Sequence, residues 1–135
     1  MKRTLLVAIT LALVVAFAST AFAGADKTSS KPAFKMELAE ANLIMGVQSD
    51  NLGLRTSAAQ MLGDLRSKKA VFALMGMLKN DTDERGRIAA ALALYKIGDP
   101  IGIYSVKQTA RLDDSGRVRK LCALFYQDFQ VTKKS

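Results

Sequence analysis

The sequence predicts an all-α fold, a right-handed α-α superhelix of about six helices in antiparallel hairpins. The first observation is a repeat, because Arg55, Arg87 and Arg119 follow one another at steps of 32 residues (87 − 55 = 32 and 119 − 87 = 32). The same step, which we call one period, relates the small-residue pairs Ala58-Ala59, Ala90-Ala91 and Cys122-Ala123. The second observation is that apolar residues recur at helical spacing, and no alternating run reaches the length of a strand. A fixed period of this size is typical of stacked two-helix units.

The first 23 residues have the pattern of a signal peptide. Lys2-Arg3 gives the positive start, an apolar run extends from Leu5 to Ala18, and Ala21-Phe22-Ala23 forms a small-residue cleavage site. The run is shorter than the roughly 20 apolar residues that span a bilayer, which favours cleavage over a retained membrane anchor. We therefore expect a periplasmic or secreted protein, cleaved near Ala23, that meets the membrane only through its removed leader.

The rest of the chain is predicted to contain a linker, one helical-repeat domain and a short tail. Residues 24–32 are rich in Ser, Lys and Gly, which is typical of a disordered linker. The repeat domain is expected at 33–130, and residues 131–135 are expected to fray. Helix 1 is predicted at 33–47, and its apolar face is formed by Phe34, Leu38, Ala41 and Met45 and widened by Leu43 and Ile44.

Short polar residues at the turns predict where the other helices begin, because their side chains can accept hydrogen bonds from the first free backbone N–H groups. The predicted caps are Asn51, Ser67, Asp83, Asp99 and Ser115. Gly98 and Pro100 are residues typical of a helix end and a helix start. The predicted bounds of helices 2 to 6 are about 52–65, 68–79, 84–97, 100–112 and 116–130.

Three segments carry a resemblance to a known family. Leu54–Gly63, Arg87–Leu94 followed by Ile97–Pro100, and Val118–Ala123 share an arginine and two small residues at matching positions. This pattern resembles HEAT repeats of the short subtype known from phycobilin lyases, over residues 34–130. The resemblance implies a HEAT/armadillo-like solenoid.

The resemblance also implies a role for Arg55, Arg87 and Arg119, because such arginines pair with acidic residues along the stack of turns. The alternative is that three guanidinium groups in register bind phosphate or other anions. Gly86 departs from the family pattern, which has an apolar residue before the arginine. We therefore expect helix 4 to start more loosely than its equivalents.

The chemistry that an enzyme needs is poorly represented. The sequence contains no His, which removes the commonest general base and the commonest metal ligand. The acidic residues lie at helix starts and turns, where capping explains them. Cys122 stands at the repeat position of Ala58 and Ala90, which predicts a small buried packing residue. We expect no catalytic, cofactor or metal site, and therefore a protein that is not an enzyme.

The charge leaves two functional hypotheses open. The formal net charge is +8, and it falls to +6 when Lys2 and Arg3 are removed with the leader. The first hypothesis is a non-catalytic interaction or scaffold module that binds an unknown protein or peptide. The alternative is a cell-envelope accessory that binds anionic lipid or glycan through its basic surface. Export, and the lack of aromatic residues interleaved with the basic ones, argue against nucleic acid.

Two surfaces are candidates for partner binding. Helix 3 is apolar or Gly from Ala70 to Leu78, which predicts burial on most sides. One stripe of it could form an apolar groove, beside two basic residues of helix 5; the candidates are Ala73, Met75, Gly76, Met77, Lys107 and Arg111. Helix 6, as the terminal helix, is expected to expose Phe125 and Phe129 for a partner or for a homo-oligomer.

Overall fold

The computed structural model describes residues 32–135, and these form six α-helices with no strand among them. The helices are α1 (Pro32–Gly46), α2 (Leu52–Asp64), α3 (Val71–Asn80), α4 (Glu84–Ile97), α5 (Pro100–Leu112) and α6 (Gly116–Lys134). A 3-10 turn, Lys68–Ala70, leads directly into α3. The predicted leader and linker lie outside the described residues, except for Pro32, which begins α1. The all-α class is confirmed.

The predicted capping residues are also confirmed. Each accepts a backbone N–H hydrogen bond through its side chain at the start of a helix or of the 3-10 turn; they are Asn51, Ser67, Asp83, Asp99 and Ser115. Gly98 follows α4 with a φ of 71°, a left-handed conformation that glycine adopts at low cost. Sequence rules for caps therefore place these helix starts to the residue.

One boundary differs from expectation. Residues 131–134 continue α6 to Lys134, where the sequence predicted a frayed tail after Gln130. Lys133 and Lys134 lie in the last turn, where cations interact favourably with the negative end of the helix dipole. Among residues 32–135, no helix has both the length and the apolar character needed to cross a membrane.

The described helices pack in two layers. The helices that carry the repeated arginines, α2, α4 and α6, pack side by side in the first layer, and α3 packs beside α5 in the second. Among helices consecutive in the chain, α1 packs most closely with α2, α3 with α4, and α5 with α6. The turns that join these three pairs hold Asn51, Asp83 and Ser115.

The core follows the period seen in the sequence. Ala58, Ala90 and Cys122 are all buried, as the shared register requires. Leu62 and Leu94, which stand one period apart, are both fully buried. Small residues at the first set of positions let neighbouring helices approach closely, and the leucines fill the space between the layers.

The predicted apolar face of α1 is wrong at Phe34, Leu38 and Met45 and correct at Leu43 and Ile44. Phe34, Leu38 and Met45 are each more than half exposed. The residues of this region that pack against the core are Leu43, Ile44 and Val47. Helical spacing alone could not choose between the two sets, and no described helix covers the side of α1 that carries Phe34.

Candidate partner-binding face

The repeated arginines build a ladder of ion pairs along the first layer. Arg55 donates from Nε and Nη2 to the two oxygens of Asp81, at 2.9 and 3.0 Å. One period later, Arg87 pairs in the same way with Asp113, at 2.8 and 3.0 Å. The carboxylates are almost inaccessible, with side chains 2% and 8% exposed. Each bidentate pair raises the pKa of its guanidinium, so these arginines join consecutive repeats.

Gly86 makes room for this ladder. A Cβ at Gly86 would lie 2.0 Å from a carboxylate oxygen of Asp81, which no side chain can tolerate. Gly86 is itself buried, and α4 begins normally at Glu84 behind its Asp83 cap. The expected looser start of α4 is therefore wrong, because the missing side chain is replaced by the carboxylate of the neighbouring pair.

Arg119 occupies the third rung and has different partners. Its Nη1 donates to the backbone carbonyls of Asp113 and Asp114, at 2.5 and 3.1 Å. Arg55 and Arg87 make equivalent carbonyl contacts in addition to their carboxylate pairs. Among the described residues, no acidic side chain pairs with Arg119. Arg55 and Arg87 therefore make the acidic pairs that the resemblance implies, and Arg119 does not.

A surface hollow borders the first rung of this ladder and extends onto α3. A hollow of about 490 Å³ lies between the α1–α2 turn and α3, and we call it the first hollow. On α3 it is lined by Phe72, Ala73, Gly76, Met77 and Asn80. On the other side it is lined by the α1–α2 turn, by the first ladder pair and by the residue that follows Asp81, namely Val47, Gln48, Ser49, Asp50, Arg55, Asp81 and Thr82. A Cβ at Gly76 would meet no atom within 4 Å, so the middle of α3 faces open space here.

A second hollow, of about 290 Å³, lies between α3 and α5. It is lined by Leu78, Lys79, Ser105, Gln108, Thr109, Leu112 and Asp113. Ser105, Gln108 and Thr109 stand one period after Ala73, Gly76 and Met77. The second hollow is therefore the repeat equivalent of the first. We call the exposed side of α3 and α5, with both hollows, the second-layer face.

Three of the predicted site residues come together in the first hollow, namely Ala73, Gly76 and Met77. Met77 forms part of its buried wall. Met75 does not belong to this group, because it is half-buried and packs against the core. These three residues therefore lie together beside an open hollow, while Met75 does not reach it.

The two predicted basic residues of α5 are separated. Lys107 is half-buried, and its Nζ lies 5.4 Å from the centroid of the Tyr126 ring on α6. Arg111 is exposed and stands one period after Lys79. Arg111 therefore remains available on the second-layer face, whereas Lys107 contributes to packing between α5 and α6.

Phe125 and Phe129 do not form the exposed face that was expected on helix 6. Phe125 stacks on Tyr95 of α4, with ring centroids 5.6 Å apart. Phe129 is half-buried beside Gly98, at the end of α4. On this helix Leu124 is half exposed instead. The first-layer helix α4 covers the two aromatic rings, which the sequence pattern had assigned to the open end.

Sequence reasoning missed Phe72 and Lys79. Phe72 lies within the apolar run of α3 and was counted as buried, yet it is 73% exposed. Its equivalent one period later, Tyr104, is 60% exposed. The useful signal was a large aromatic residue at the same register in both helices, beside positions where Val71 and Ile103 are buried.

Helices α3 and α5, with the turn that leads into α3, carry positive charge only. Residues 68–80 and 100–112 contain no Asp or Glu. Their basic residues are Lys68, Lys69, Lys79, Lys107 and Arg111. Lys69 pairs with Glu37 and Glu40 of α1. Among the described residues, Lys79 and Arg111 pair with no carboxylate within 4.0 Å.

The remaining reactive group is enclosed. Cys122 is buried, and burial raises the pKa of its thiol to about 12, so it is protonated at neutral pH. Within the described part of the chain, no three His, Cys, Asp or Glu residues are grouped as a metal site would need. The geometry of this region offers packing and surface contacts.

Comparison with known proteins agrees with this architecture. A search of the curated proteins finds no match. A family model for HEAT repeats matches residues 40–124, which is more than half of the chain. HEAT repeats generally mediate protein–protein interaction or scaffolding, and the family is typically non-catalytic. With its paired helices, its arginine ladder and this match, the chain belongs to the HEAT repeat family.

Proposed function

We propose that the protein is a non-catalytic interaction module, exported to the periplasm or beyond the cell, that binds a partner protein through the second-layer face. The observation that carries this proposal is the pair of repeat-related hollows with Phe72 and Tyr104 exposed beside them. Exposed aromatic residues contribute strongly to protein interfaces when they become buried.

Gly76 supports the same assignment. Glycine within a helix costs roughly 0.5–1 kcal/mol relative to alanine, and no neighbouring atom requires its small size at this position. A partner backbone that approaches α3 closely would require it. Export is supported by the leader pattern of residues 1–23, and the non-catalytic role by the absence of His from the sequence.

The face can be tested by site-specific photo-crosslinking in the exporting cell. We expect a benzophenone side chain at Phe72 to give a discrete adduct with another protein, identified by mass spectrometry. The same probe at Leu124, exposed on α6, is the matched control and also reports self-association through that helix. Adducts at Leu124 and none at Phe72 would contradict the proposed face.

The location and the lipid alternative need separate measurements. We expect a mature chain with Gly24 as its first residue in the soluble envelope or culture fraction, read by N-terminal sequencing. Sedimentation with phosphatidylglycerol vesicles, lost at high salt because exposed charges are screened, would favour the envelope accessory. In that case Lys79→Gln and Arg111→Gln should weaken vesicle binding while Phe72→Ala leaves it unchanged.

A further inference from the structure

We propose that the partner segment is acidic, and that it places an apolar side chain in the first hollow and a carboxylate beside Lys79 in the second. This inference rests on the proposed function and names the chemistry of its partner. It is carried by the contrast between Val47 and Lys79, which occupy equivalent positions in the two hollows.

Several equivalent lining positions differ between the hollows, and one of them changes an apolar residue to a cation. Val47 lines the first hollow, and Lys79, one period later, lines the second. The first hollow also has Phe72 and Met77 in its lining, which favour an apolar group there. Its other charged lining residues are Arg55 and Asp81, which pair with each other, and Asp50, whose exposed carboxylate disfavours an anion. In the second hollow, the ammonium group of Lys79 takes the place of the Val47 side chain.

The carboxylates near these hollows do not neutralise Lys79. Asp113 lines the second hollow, but both of its oxygens accept hydrogen bonds from Arg87, and Oδ1 also accepts one from the backbone N–H of Ser115. Asp81, two residues after Lys79, is likewise held by Arg55. The nearby carboxylates are thus already paired with the arginines of the ladder. Lys79 has no carboxylate partner in the described part of the chain.

The surrounding charge favours an acidic segment over a neutral one. Helices α3 and α5 have no acidic residue, and Arg111 repeats the exposed cation of Lys79 one helix further on. The helix dipole stabilises a cation at both positions, since each lies in the last turn of its helix. The helix dipole does not explain why the aromatic rings of Phe72 and Tyr104 are exposed. Packing against the described residues covers less than half of either ring.

The spacing of the hollows sets the spacing of the partner's side chains. Packed helices lie about 8–10 Å apart, so equivalent points on successive hollows are separated by about one such step. An extended chain rises about 3.3 Å per residue, and three residues cover this distance. We therefore expect an apolar residue and an Asp or Glu three positions apart, in a segment that crosses α3 at Gly76.

The probe for this inference is a library of short random peptides displayed on phage and selected on the immobilised full chain. We expect the selected peptides to contain an Asp or Glu three positions from a Leu, Ile or Phe. Synthetic copies should bind about tenfold more weakly to Lys79→Gln and to Gly76→Leu, as for hot-spot residues. Gly76→Leu places a bulky side chain at the first hollow, where a Cβ at this position meets no atom within 4 Å.

Matched controls and a charge swap make the result specific. Lys120→Gln, exposed on α6, and Phe34→Ala, exposed on α1, should leave the affinity unchanged. Lys79→Glu should abolish binding of the acidic peptides, and peptides with Lys in place of the acidic residue should bind this variant. Recovery in this swap would support a direct pair between the carboxylate and residue 79.

The outcomes separate this inference from the proposed function. Selected peptides that lack acidic residues and yet depend on Phe72 and Gly76 would overturn the acidic class and leave the binding face standing. Acidic peptides that bind all the variants equally would overturn the site itself. A failure to select any peptide, together with no photo-adduct at Phe72, would overturn both. Vesicle binding that depends on Lys79 would assign this cation to a lipid and overturn the peptide occupant.

Discussion

Two rows of cations repeat with the same period in this protein, and their surroundings differ. Arg55 and Arg87 each hold a carboxylate that is nearly inaccessible to solvent, between consecutive repeats of the first layer. Lys79 and Arg111 are exposed on the second-layer face, with no carboxylate partner among the described residues. Repetition alone would assign both rows the same role.

The difference shows that a repeated cation joins neighbouring repeats when its acidic partner repeats with the same period. The first row has Asp81 and Asp113 at the same period, so each repeat satisfies its neighbour. The second row repeats beside exposed aromatic rings, and no carboxylate of the described residues satisfies it. A repeat that the fold leaves unsatisfied is a candidate for recognition, and the following predictions test that distinction.

The largest effect is expected in the core that the first layer shares with the second. Leu94 is fully buried, and Leu94→Ala should lower the free energy of unfolding by about 2–5 kcal/mol, because it removes contacts and leaves a cavity. Urea denaturation followed by circular dichroism measures this. An unchanged midpoint would show that Leu94 is not a core residue and that the assigned register is wrong.

The ladder should give the next largest effect. Arg87→Ala should lower the free energy of unfolding by about 1–3 kcal/mol, because it leaves the carboxylate of Asp113 enclosed without its charged donors. Arg87→Lys should recover only part of the loss, since one ammonium group cannot replace a bidentate fork. Chemical denaturation of the two variants provides the comparison.

Arg119→Ala is the internal control for the ladder. Arg119 donates to backbone carbonyls and pairs with no carboxylate among the described residues, so its removal should destabilise less than removal of Arg87. Equal losses at the two positions would show that the carbonyl contacts, which they share, stabilise the stack more than the ion pairs do.

A stabilising substitution is expected on the second-layer face. Gly76→Ala should raise the free energy of unfolding by roughly 0.5–1 kcal/mol, because alanine lowers the conformational entropy of the unfolded chain and its Cβ meets no neighbour. The thermal midpoint reports the gain. A loss of stability would mean that the fold itself requires glycine here, which would remove one argument for the binding face.

Acid should weaken the first layer with a defined sign. Hydrogen bonds from Arg85 lower the pKa of Asp83 to about 2, and Ser115 and Arg117 lower the pKa of Glu84. Because these pKa values lie below those of the unfolded chain, the stability they contribute is present above about pH 4 and is lost as the pH falls towards 2. Asp83→Asn should flatten the acid limb of the stability curve, whereas Asp99→Asn provides the comparison at another cap.

The fold could be predicted from the sequence because its determinants are local or strictly periodic. Caps such as Asn51 and Asp99 act on the first turn of the helix that follows them, and the period of the arginines places Ala58 and Ala90 at equivalent positions. The end of α6 was missed because continuation through Val131 depends on small energies that residue patterns do not resolve.

The site could be predicted only in part, because exposure depends on neighbours far away in the chain. Ala73, Gly76 and Met77 do lie together at the first hollow, and the apolar run of α3 is the feature that marked that helix. Phe72 was expected to be buried and Phe125 to be exposed. In the structure α4 covers Phe125, and no described helix covers Phe72. Sequence spacing gives the faces of a helix, while the packing of α1 and α4 decides which face remains open.

The smallest effects on stability are expected from the residues that we assign to binding. Phe72→Ala and Lys79→Gln should each change the free energy of unfolding by about 0.5 kcal/mol or less, as is usual for exposed side chains away from special features. Their effect should instead appear in the yield of photo-adducts, measured with the cross-linker at Tyr104 in each variant. Phe34→Ala, which also removes an exposed aromatic ring, should affect neither quantity. If Phe72→Ala destabilised the protein as much as Arg87→Ala, this ring would belong to the fold, and the contrast between the satisfied ladder and the open face would fail at its central residue.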